Sequence, residues 1–197
     1  NPQMLAYLNA ENAHTDQVLA PLAALKQKLY DELVGRIKQD DSSVPYRDKG
    51  YWYYTRFEEG REYPIHARRE GSLEAPEQIL LDVNALAEGK GFYQVGDFEV
   101  SPDGKLLAYF EDESGRRQYT LRVKNIETGE VLPVEIKGLS ASLAWTADSG
   151  GFYYVENDPE TLLTKRVRRH VLGQVDGNDV LVYEEHDASF YMGVGKT

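Results

Sequence analysis

The feature that most restricts the fold of this chain is a strand–turn–strand pattern that occurs twice. The segment VGDFEVSPDGKLLAYFED begins at Val95, and its counterpart LSASLAWTADSGGFYYVEN begins at Leu139. Each contains an apolar run, a tight turn at Asp103 or Asp148, and a second run that carries aromatic residues. Each is followed by a third run, a glycine-containing turn and a fourth run. Four strands in roughly 45 residues, repeated along the chain, are typical of the blades of a β-propeller.

A weaker third copy of the pattern precedes these two. It begins at YRDKGYWYYTRFEEGREYPIHARR and ends with PEQILLDVN. Closed propellers contain about four to eight blades, so the sequence predicts a mainly β fold, a partial β-propeller of about three four-stranded blades. In the last copy GQVDGND is predicted to be a turn, and FYMGVGKT is predicted to begin a fourth blade. We assign the propeller portion to residues 44–197.

Residues 1–43 have the periodicity of helices and are predicted to form a separate arm. We expect one helix from Pro2 to about Asn12, a break near Pro21 and then a second helix. The second helix carries apolar residues at steps of three and four, which places them on one face: Leu22, Leu25, Leu29, Leu33 and Ile37. Because two short helices cannot bury such a stripe completely against each other, the arm is expected to pack on something else.

The composition argues against several classes of function. The formal net charge is −11, from 33 acidic and 22 basic side chains. This charge disfavours a nucleic-acid-binding protein, which needs a basic face to bind phosphates. No apolar run reaches the roughly 20 residues that cross a bilayer, so no membrane partner is predicted. The chain contains no cysteine, which excludes disulfides and thiolate metal sites and fits a cytoplasmic protein.

The sequence contains no complete motif for catalysis, for a cofactor or for a metal. The histidines lack the spacing of a zinc site; they are His14, His66, His170 and His186. The C-terminal GVGKT departs from a phosphate-binding loop because Phe190 stands where that loop has its first glycine. No G-x-S-x-G pentad, the nucleophile elbow of α/β-hydrolases, occurs. We therefore predict no cofactor, no metal and no catalytic residue within this chain.

Two charged segments remain as candidate contact sites. The first is EDESGRR, in which Glu111, Asp112, Arg116 and Arg117 are expected at a strand end, on the rim of a blade. There they could contact a partner domain; the alternative is a local salt-bridged hairpin tip. The second is TKRVRRH, the basic cluster of residues 164–170. In an acidic chain we expect its side chains to pair with neighbouring carboxylates.

Several longer segments resemble one family of peptidases. NPQMLAYLNAENAHTD, VGRIKQDDSSVPYRDKGYWYYTRFEEGREYPIHARR, GRRQYTLRVKNIETGE and DPETLLTKRVRRHVLG occur in the order expected for the oligopeptidase B branch of the prolyl oligopeptidase family. The resemblance implies a seven-bladed propeller joined to an α/β-hydrolase domain that carries a Ser, Asp, His triad. It also implies that residues 1–43 pack on the hydrolase domain. That domain and the last four blades are absent from this sequence.

The function that the resemblance implies is that of an N-terminal propeller portion in a serine endopeptidase that cleaves short peptides after Lys or Arg. The propeller would limit access to the triad, and this chain alone would be inactive. The implied partners are the hydrolase domain and short basic peptides, and exposed sheet edges predict self-association of the chain. The alternative is a non-enzymatic propeller that acts as a protein-interaction scaffold. A carbohydrate-active propeller would need two carboxylates across a cleft, and the sequence offers only adjacent ones.

Overall fold

The helical part and the β-rich part of the chain form two units. A computed structural model describes residues 1–174 and 178–196. Contacts group Asn1–Asp41 with Glu58–Gly60, and Ser42–Phe57 with Arg61–Thr197. The division after Asp41 lies close to the predicted boundary after residue 43.

The first unit contains two helices separated by a short 3₁₀ turn. Helix α1 spans Pro2–Leu19, the 3₁₀ turn spans Ala20–Leu22 and helix α2 spans Ala23–Val34. The break lies at Pro21, as the sequence predicts, because proline lacks the N–H that a helix interior needs. The first helix continues well beyond the predicted end, since residues 13–19 contain neither glycine nor proline.

The apolar stripe of this unit is exposed. Its five side chains are 50% to 63% exposed; they are Leu22, Leu25, Leu29, Leu33 and Ile37. Within residues 1–174 and 178–196, no helix combines the length and the apolar character needed to span a bilayer.

The second unit begins with a four-stranded antiparallel sheet, the first blade. Its strands pair in chain order: β1 Tyr46–Asp48, β2 Tyr51–Arg56, β3 Ile65–Glu70 and β4 Glu77–Asp82. Lys49 and Gly50 connect β1 to β2, and both have positive φ, 44° and 87°. This is the backbone conformation of a two-residue type I′ hairpin turn.

A short helix leads from the first blade to a seven-stranded antiparallel sheet. The helix, α3, spans Val83–Ala87. The strands of the sheet pair in chain order: β5 Gln94–Val100, β6 Leu106–Asp112, β7 Tyr119–Asn125, β8 Val131–Trp145, β9 Gly151–Asn157, β10 Thr164–Val171 and β11 Val180–Glu184.

The long strand β8 explains the number of strands in this sheet. Its first part pairs with β7 and its last part pairs with β9, and Leu139 is paired with both Tyr119 and Glu156. The sheet therefore consists of two four-stranded blades that share β8. The prediction of a partial propeller with about three four-stranded blades is confirmed.

Each blade packs against the next through an apolar cluster. The cluster between the first and second blades contains these buried residues: Tyr53, Leu80, Leu81, Val83, Tyr93, Leu107, Tyr109 and Ile126. The cluster between the second and third contains these: Ala108, Phe110, Tyr119, Leu121, Val123, Val134, Leu139, Leu143, Trp145, Phe152 and Tyr154. Strand β6 contributes alternate residues to both clusters. Its sequence LLAYF is apolar throughout because both faces of the strand are buried.

The two turns that define the sequence repeat have equivalent hydrogen bonds. Ser101 Oγ donates to Asp103 Oδ1 at 2.6 Å, and Thr146 Oγ1 donates to Asp148 Oδ1 at 2.6 Å. The turns also contact each other, because the backbone N–H of Asp103 donates to Ser149 Oγ at 3.1 Å. The sequence repeat therefore marks equivalent turns of neighbouring blades and a hydrogen bond between them.

The end of the chain departs from the prediction. Residues 190–196 contain no strand, because Gly193 and Gly195 weaken strand formation there. Instead the backbone N–H of Val194 donates to Ser142 Oγ at 2.9 Å. The predicted turn GQVDGND includes residues 175–177, which lie outside the described residues.

Candidate functional site

The candidate site is the turn between β6 and β7, on the rim of the second blade. All four predicted residues lie on it: Glu111 and Asp112 end β6, and Arg116 and Arg117 lie within the turn. The structure gives these residues two different environments. The carboxylates are buried and the guanidinium groups are exposed.

Glu111 is held by contacts within the chain. The Tyr93 hydroxyl donates to its Oε2 at 2.7 Å, and Arg122 Nε donates to its Oε1 at 2.5 Å. Arg122 also contacts Glu135, at 3.0 Å. The hydrogen bond with Glu111 raises the pKa of Arg122, and burial followed by the bond to Glu111 raises the pKa of Tyr93. This carboxylate therefore joins β6, β7 and the segment before β5.

Asp112 organises the turn itself and is 1% exposed. Its Oδ1 accepts hydrogen bonds from Ser114 N, Ser114 Oγ and Gly115 N, at 2.8, 2.7 and 3.1 Å. Its Oδ2 accepts from the backbone N–H of Arg117 at 2.7 Å. Burial alone would raise the pKa of Asp112, but these hydrogen bonds outweigh it and lower the pKa below its ordinary value. The turn depends on the ionised carboxylate.

We expect the stability that Asp112 contributes to depend on pH. A lowered folded pKa means that the contribution is complete above about pH 4, the pKa of an unfolded aspartate, and is lost as the pH falls through the folded pKa. Replacing Asp112 with Asn should cost about 2 kcal/mol at pH 7 and progressively less below about pH 4. Urea unfolding over this pH range measures the difference, with exposed Asp40→Asn as the matched control. A cost that stays the same at every pH would contradict this role of the charge.

Arg116 and Arg117 present their side chains to solvent. In the described part of the chain no carboxylate oxygen lies within 4.0 Å of either guanidinium, whereas nearby Lys90 and Arg122 pair with Glu113 and Glu111. Arg117 has a φ of 57°, an unusual value for a residue with a long side chain. The arginines are thus the two members of the predicted set that are available to a partner.

An open cavity of about 320 Å³ lies beside this turn. Its lining includes more acidic than basic side chains: Glu111, Asp112, Glu113, Glu135, Arg122 and Lys137. Gln118 also lines it, and its Nε2 is buried without a hydrogen-bond partner among the described residues. Sequence reasoning missed Tyr93 and Arg122. Alternation along β7 could have indicated Arg122, but Tyr93 lies outside every strand.

Most of the basic cluster on β10 pairs with acidic side chains. Arg166 Nη1 lies 3.1 Å from Glu156 Oε1, and its Nη2 lies 3.0 Å from Glu184 Oε1. Arg168 Nε contacts the other oxygen of Glu156. Lys165 Nζ pairs with Asp158 at 2.7 Å. Three of the four Lys and Arg side chains therefore pair with neighbouring carboxylates, as predicted for an acidic chain, whereas among the described residues no carboxylate oxygen lies within 4.0 Å of the Arg169 guanidinium.

Two pairs of residues resemble parts of a Ser, Asp, His triad, but each pair lacks the third member among the described residues. Thr55 Oγ1 lies 3.0 Å from His66 Nδ1, but among the described residues no carboxylate is hydrogen-bonded to His66. Burial lowers the pKa of this histidine. In the third blade His170 Nδ1 lies 2.8 Å from Asp179 Oδ1, yet no hydroxyl nucleophile among the described residues bonds to that histidine. Residues 1–174 and 178–196 also contain no group of three or more His, Asp or Glu that could hold a metal ion.

Comparisons with known proteins agree on one family. A family model described as "Prolyl oligopeptidase, N-terminal beta-propeller domain" matches residues 1–197. Dipeptidyl aminopeptidase BI of Pseudoxanthomonas mexicana is 56% identical over 212 residues, which cover 100% of this chain and 29% of that protein. The chain thus spans about 29% of the length of this curated relative.

Solved structures give the same result. Oligopeptidase B from Leishmania major matches with a TM-score of 0.90 and 34% identity, over 95% of this chain and 27% of that chain. Oligopeptidase B from Trypanosoma brucei, in a closed form with covalently bound antipain, matches with a TM-score of 0.91 and 30% identity. That match covers 100% of this chain and 28% of the other.

Proposed function

Because the chain belongs to the prolyl oligopeptidase family and forms part of its N-terminal β-propeller domain, we propose that it is the N-terminal propeller portion of an oligopeptidase B-like serine endopeptidase. The intact enzyme cleaves short peptides after Lys or Arg, and the propeller limits access to a triad in a separate hydrolase domain. The observation that carries the proposal is the similarity to two oligopeptidase B structures along 95% and 100% of this chain. The 33 acidic side chains outnumber the 22 basic ones, and the resulting negative charge supports attraction of basic peptides.

A matched pair of peptides tests this specificity on the intact protein that contains this chain. One peptide is N-acetylated and has a single internal Arg; the other has Gln at that position. We expect cleavage after Arg, about 100-fold slower cleavage of the Gln peptide, and a kcat/KM that falls as salt screens the attraction. This chain alone should cleave neither peptide. Equal cleavage of both peptides, or cleavage by the chain alone, would overturn the proposal.

A second candidate function is favoured by the 56% identity to dipeptidyl aminopeptidase BI. An enzyme that releases dipeptides from a free N terminus would not cleave the acetylated peptide, but it would cleave an unblocked copy of the same sequence. Comparing the two copies distinguishes this activity from endopeptidase activity. A propeller that only scaffolds protein interactions would leave both copies uncleaved.

We also propose that two surfaces of this chain contact the hydrolase domain. The first is the apolar stripe of the helical arm, residues 1–43. The four leucines of this stripe are 50% to 61% exposed. An apolar stripe of this width needs a partner surface. The second is the pair Arg116 and Arg117, whose guanidinium groups are exposed on the rim.

Replacing Leu29 with Asp tests the role of the arm. Leu29 is 50% exposed in this chain, so the substitution should change the unfolding free energy of the chain alone by less than about 0.5 kcal/mol. In the intact protein the same substitution should cost about 3 kcal/mol, because it would bury an unpaired charge in the interface. Glu32→Asp, on the same helix, is the control. Equal small effects in both proteins would show that the arm does not pack on the hydrolase domain.

A further inference from the structure

The second and third blades have equivalent turns between their second and third strands. In the second blade this turn joins β6 to β7, and Asp112 Oδ1 accepts hydrogen bonds from the backbone N–H groups two and three positions later, at 2.8 and 3.1 Å. In the third blade it joins β9 to β10, and Asp158 Oδ1 accepts from the corresponding N–H groups at 2.9 and 3.0 Å. Because propeller blades are related by rotation about one axis, equivalent turns lie at the same end of the blades.

Each of these turns holds a residue with a large side chain in the left-handed region of backbone conformation. Arg117 has a φ of 57° and Leu162 has a φ of 63°. The N–H of Arg117 donates to Asp112 Oδ2 at 2.7 Å, and the N–H of Leu162 donates to the carbonyl oxygen of Asp158 at 2.8 Å. This region costs stability for every residue except glycine. The β7–β8 turn uses glycine for it, at Gly129 with a φ of 75°.

Contacts within the chain do not explain these two side chains. Ser149, with a φ of 59°, shows the contrast, because its hydroxyl accepts a hydrogen bond from the backbone N–H of Asp103 at 3.1 Å. Within residues 1–174 and 178–196, no carboxylate oxygen lies within 4.0 Å of the Arg117 guanidinium, and Leu162 belongs to neither apolar cluster. Backbone strain of this kind is concentrated at functional contacts. The two side chains therefore indicate a contact outside this chain.

Closure of the propeller does not account for the exposure of these turns. The second blade already has both neighbours, since one apolar cluster joins it to the first blade and another joins it to the third. Arg117 is exposed although both neighbours are present. Leu162 occupies the equivalent turn of the next blade, and its side chain is 47% exposed. The ends of the blades, and not their faces, therefore carry this surface.

We propose that Arg117 and Leu162 form one contact surface for the hydrolase domain, across the ends of the second and third blades. This extends to the third blade the contact proposed for Arg116 and Arg117, and it rests on the proposed function, in which a separate hydrolase domain accompanies this chain. The chain spans about 29% of the length of a curated relative, which leaves room for such a domain. The hydrolase domain offers an apolar recess to Leu162 and a carboxylate to Arg117.

Photo-cross-linking in the intact protein that contains this chain identifies the partner. Benzoylphenylalanine placed at Arg117 or at Leu162 should form cross-links to peptides of the hydrolase domain, which mass spectrometry identifies. The same group at Lys49 should form none to that domain, because Lys49 lies in a turn between the first and second strands of a blade, at the other end. Cross-links from Leu162 confined to a following blade would overturn the proposal.

Glycine substitutions measure whether the strained side chains serve the contact. In this chain alone, Arg117→Gly should lower the unfolding equilibrium constant about threefold, because it removes strain. Leu162→Gly should leave that constant within about threefold, since relief of strain offsets the loss of a half-buried side chain. In the intact protein each substitution should raise the constant about tenfold, because the interface loses a side chain. Lys49→Gly, the control, should have the same effect in both proteins.

The outcomes distinguish this proposal from the proposed peptidase function. If Arg117→Gly and Leu162→Gly change the intact protein no more than they change this chain alone, the two side chains serve no contact and the proposal is wrong. Cleavage after Arg by that same intact protein would still support the peptidase function. If the cross-links reach the hydrolase domain but no cleavage after Arg occurs, the contact is supported and the proposed specificity fails.

Discussion

Gly151→Ala is expected to destabilise the chain by about 3 kcal/mol or more, because the added methyl group has no space in the third blade. A Cβ at Gly151 would lie 2.2 Å from the carbonyl oxygen of His170 and 3.2 Å from the Cα of Val171. Both atoms belong to the backbone of β10, which is paired with β9 along its length. The blade therefore cannot relieve the clash by turning a side chain.

Gly91→Ala is the matched control for this substitution. A Cβ at Gly91 meets nothing within 4 Å, and its φ is outside the left-handed region. Urea unfolding of both variants measures the difference, and the control should stay within about 0.5 kcal/mol of the parent chain. If both variants unfold at the same urea concentration as the parent, the pairing of β9 with β10 described here is wrong.

Asp179→Ala is expected to destabilise the chain by about 3 kcal/mol, because it removes the acceptor from two buried donors. The Asp179 side chain is 3% exposed and the His170 ring is fully buried. Asp179 Oδ1 lies 2.8 Å from His170 Nδ1, and its Oδ2 accepts from the Tyr154 hydroxyl at 2.8 Å. The His170 ring in turn stacks on Phe152 with the ring centres 5.0 Å apart.

Two further variants test whether the cost of Asp179→Ala comes from the loss of this hydrogen-bond network or from the loss of an acidic residue in general. Asp179→Asn keeps one carbonyl acceptor and should cost less than Asp179→Ala, and exposed Asp40→Ala should cost almost nothing. Thermal unfolding of the three variants at pH 7 gives the ranking. A Tm of Asp179→Ala equal to that of Asp40→Ala would show that the network does not stabilise the third blade.

The blades were predictable because their turns and strands carry local signals. The pairs Ser101 with Asp103 and Thr146 with Asp148 are visible in the sequence, and each forms the same hydrogen bond. The sharing of β8 by two blades was not predictable. Gly138, with a φ of 75°, resembles a turn residue in the sequence; that the strand continues through it is decided by pairing with β7 and β9.

The candidate site shows the same division between local and long-range information. The grouping of Glu111 with Arg117 on one turn follows from their nearness in sequence. The structure buries Asp112, which accepts hydrogen bonds from the turn, and leaves the two arginines exposed. This difference in burial cannot be read from the alternation of side chains along one strand. The contact of Tyr54 on β2 with Glu77 on β4 was not predicted, because these residues meet only through the register of the strands.

Size selectivity of the intact protein that contains this chain tests the proposed gating role of the propeller most directly. The measurement compares kcat/KM for one Arg-containing cleavage sequence in a short peptide and in an exposed loop of a folded protein. If the propeller limits access, the short peptide should be cleaved at least about 100-fold faster, and this chain alone should cleave neither substrate. Equal kcat/KM values for the two substrates would contradict a gating role for the blades described here.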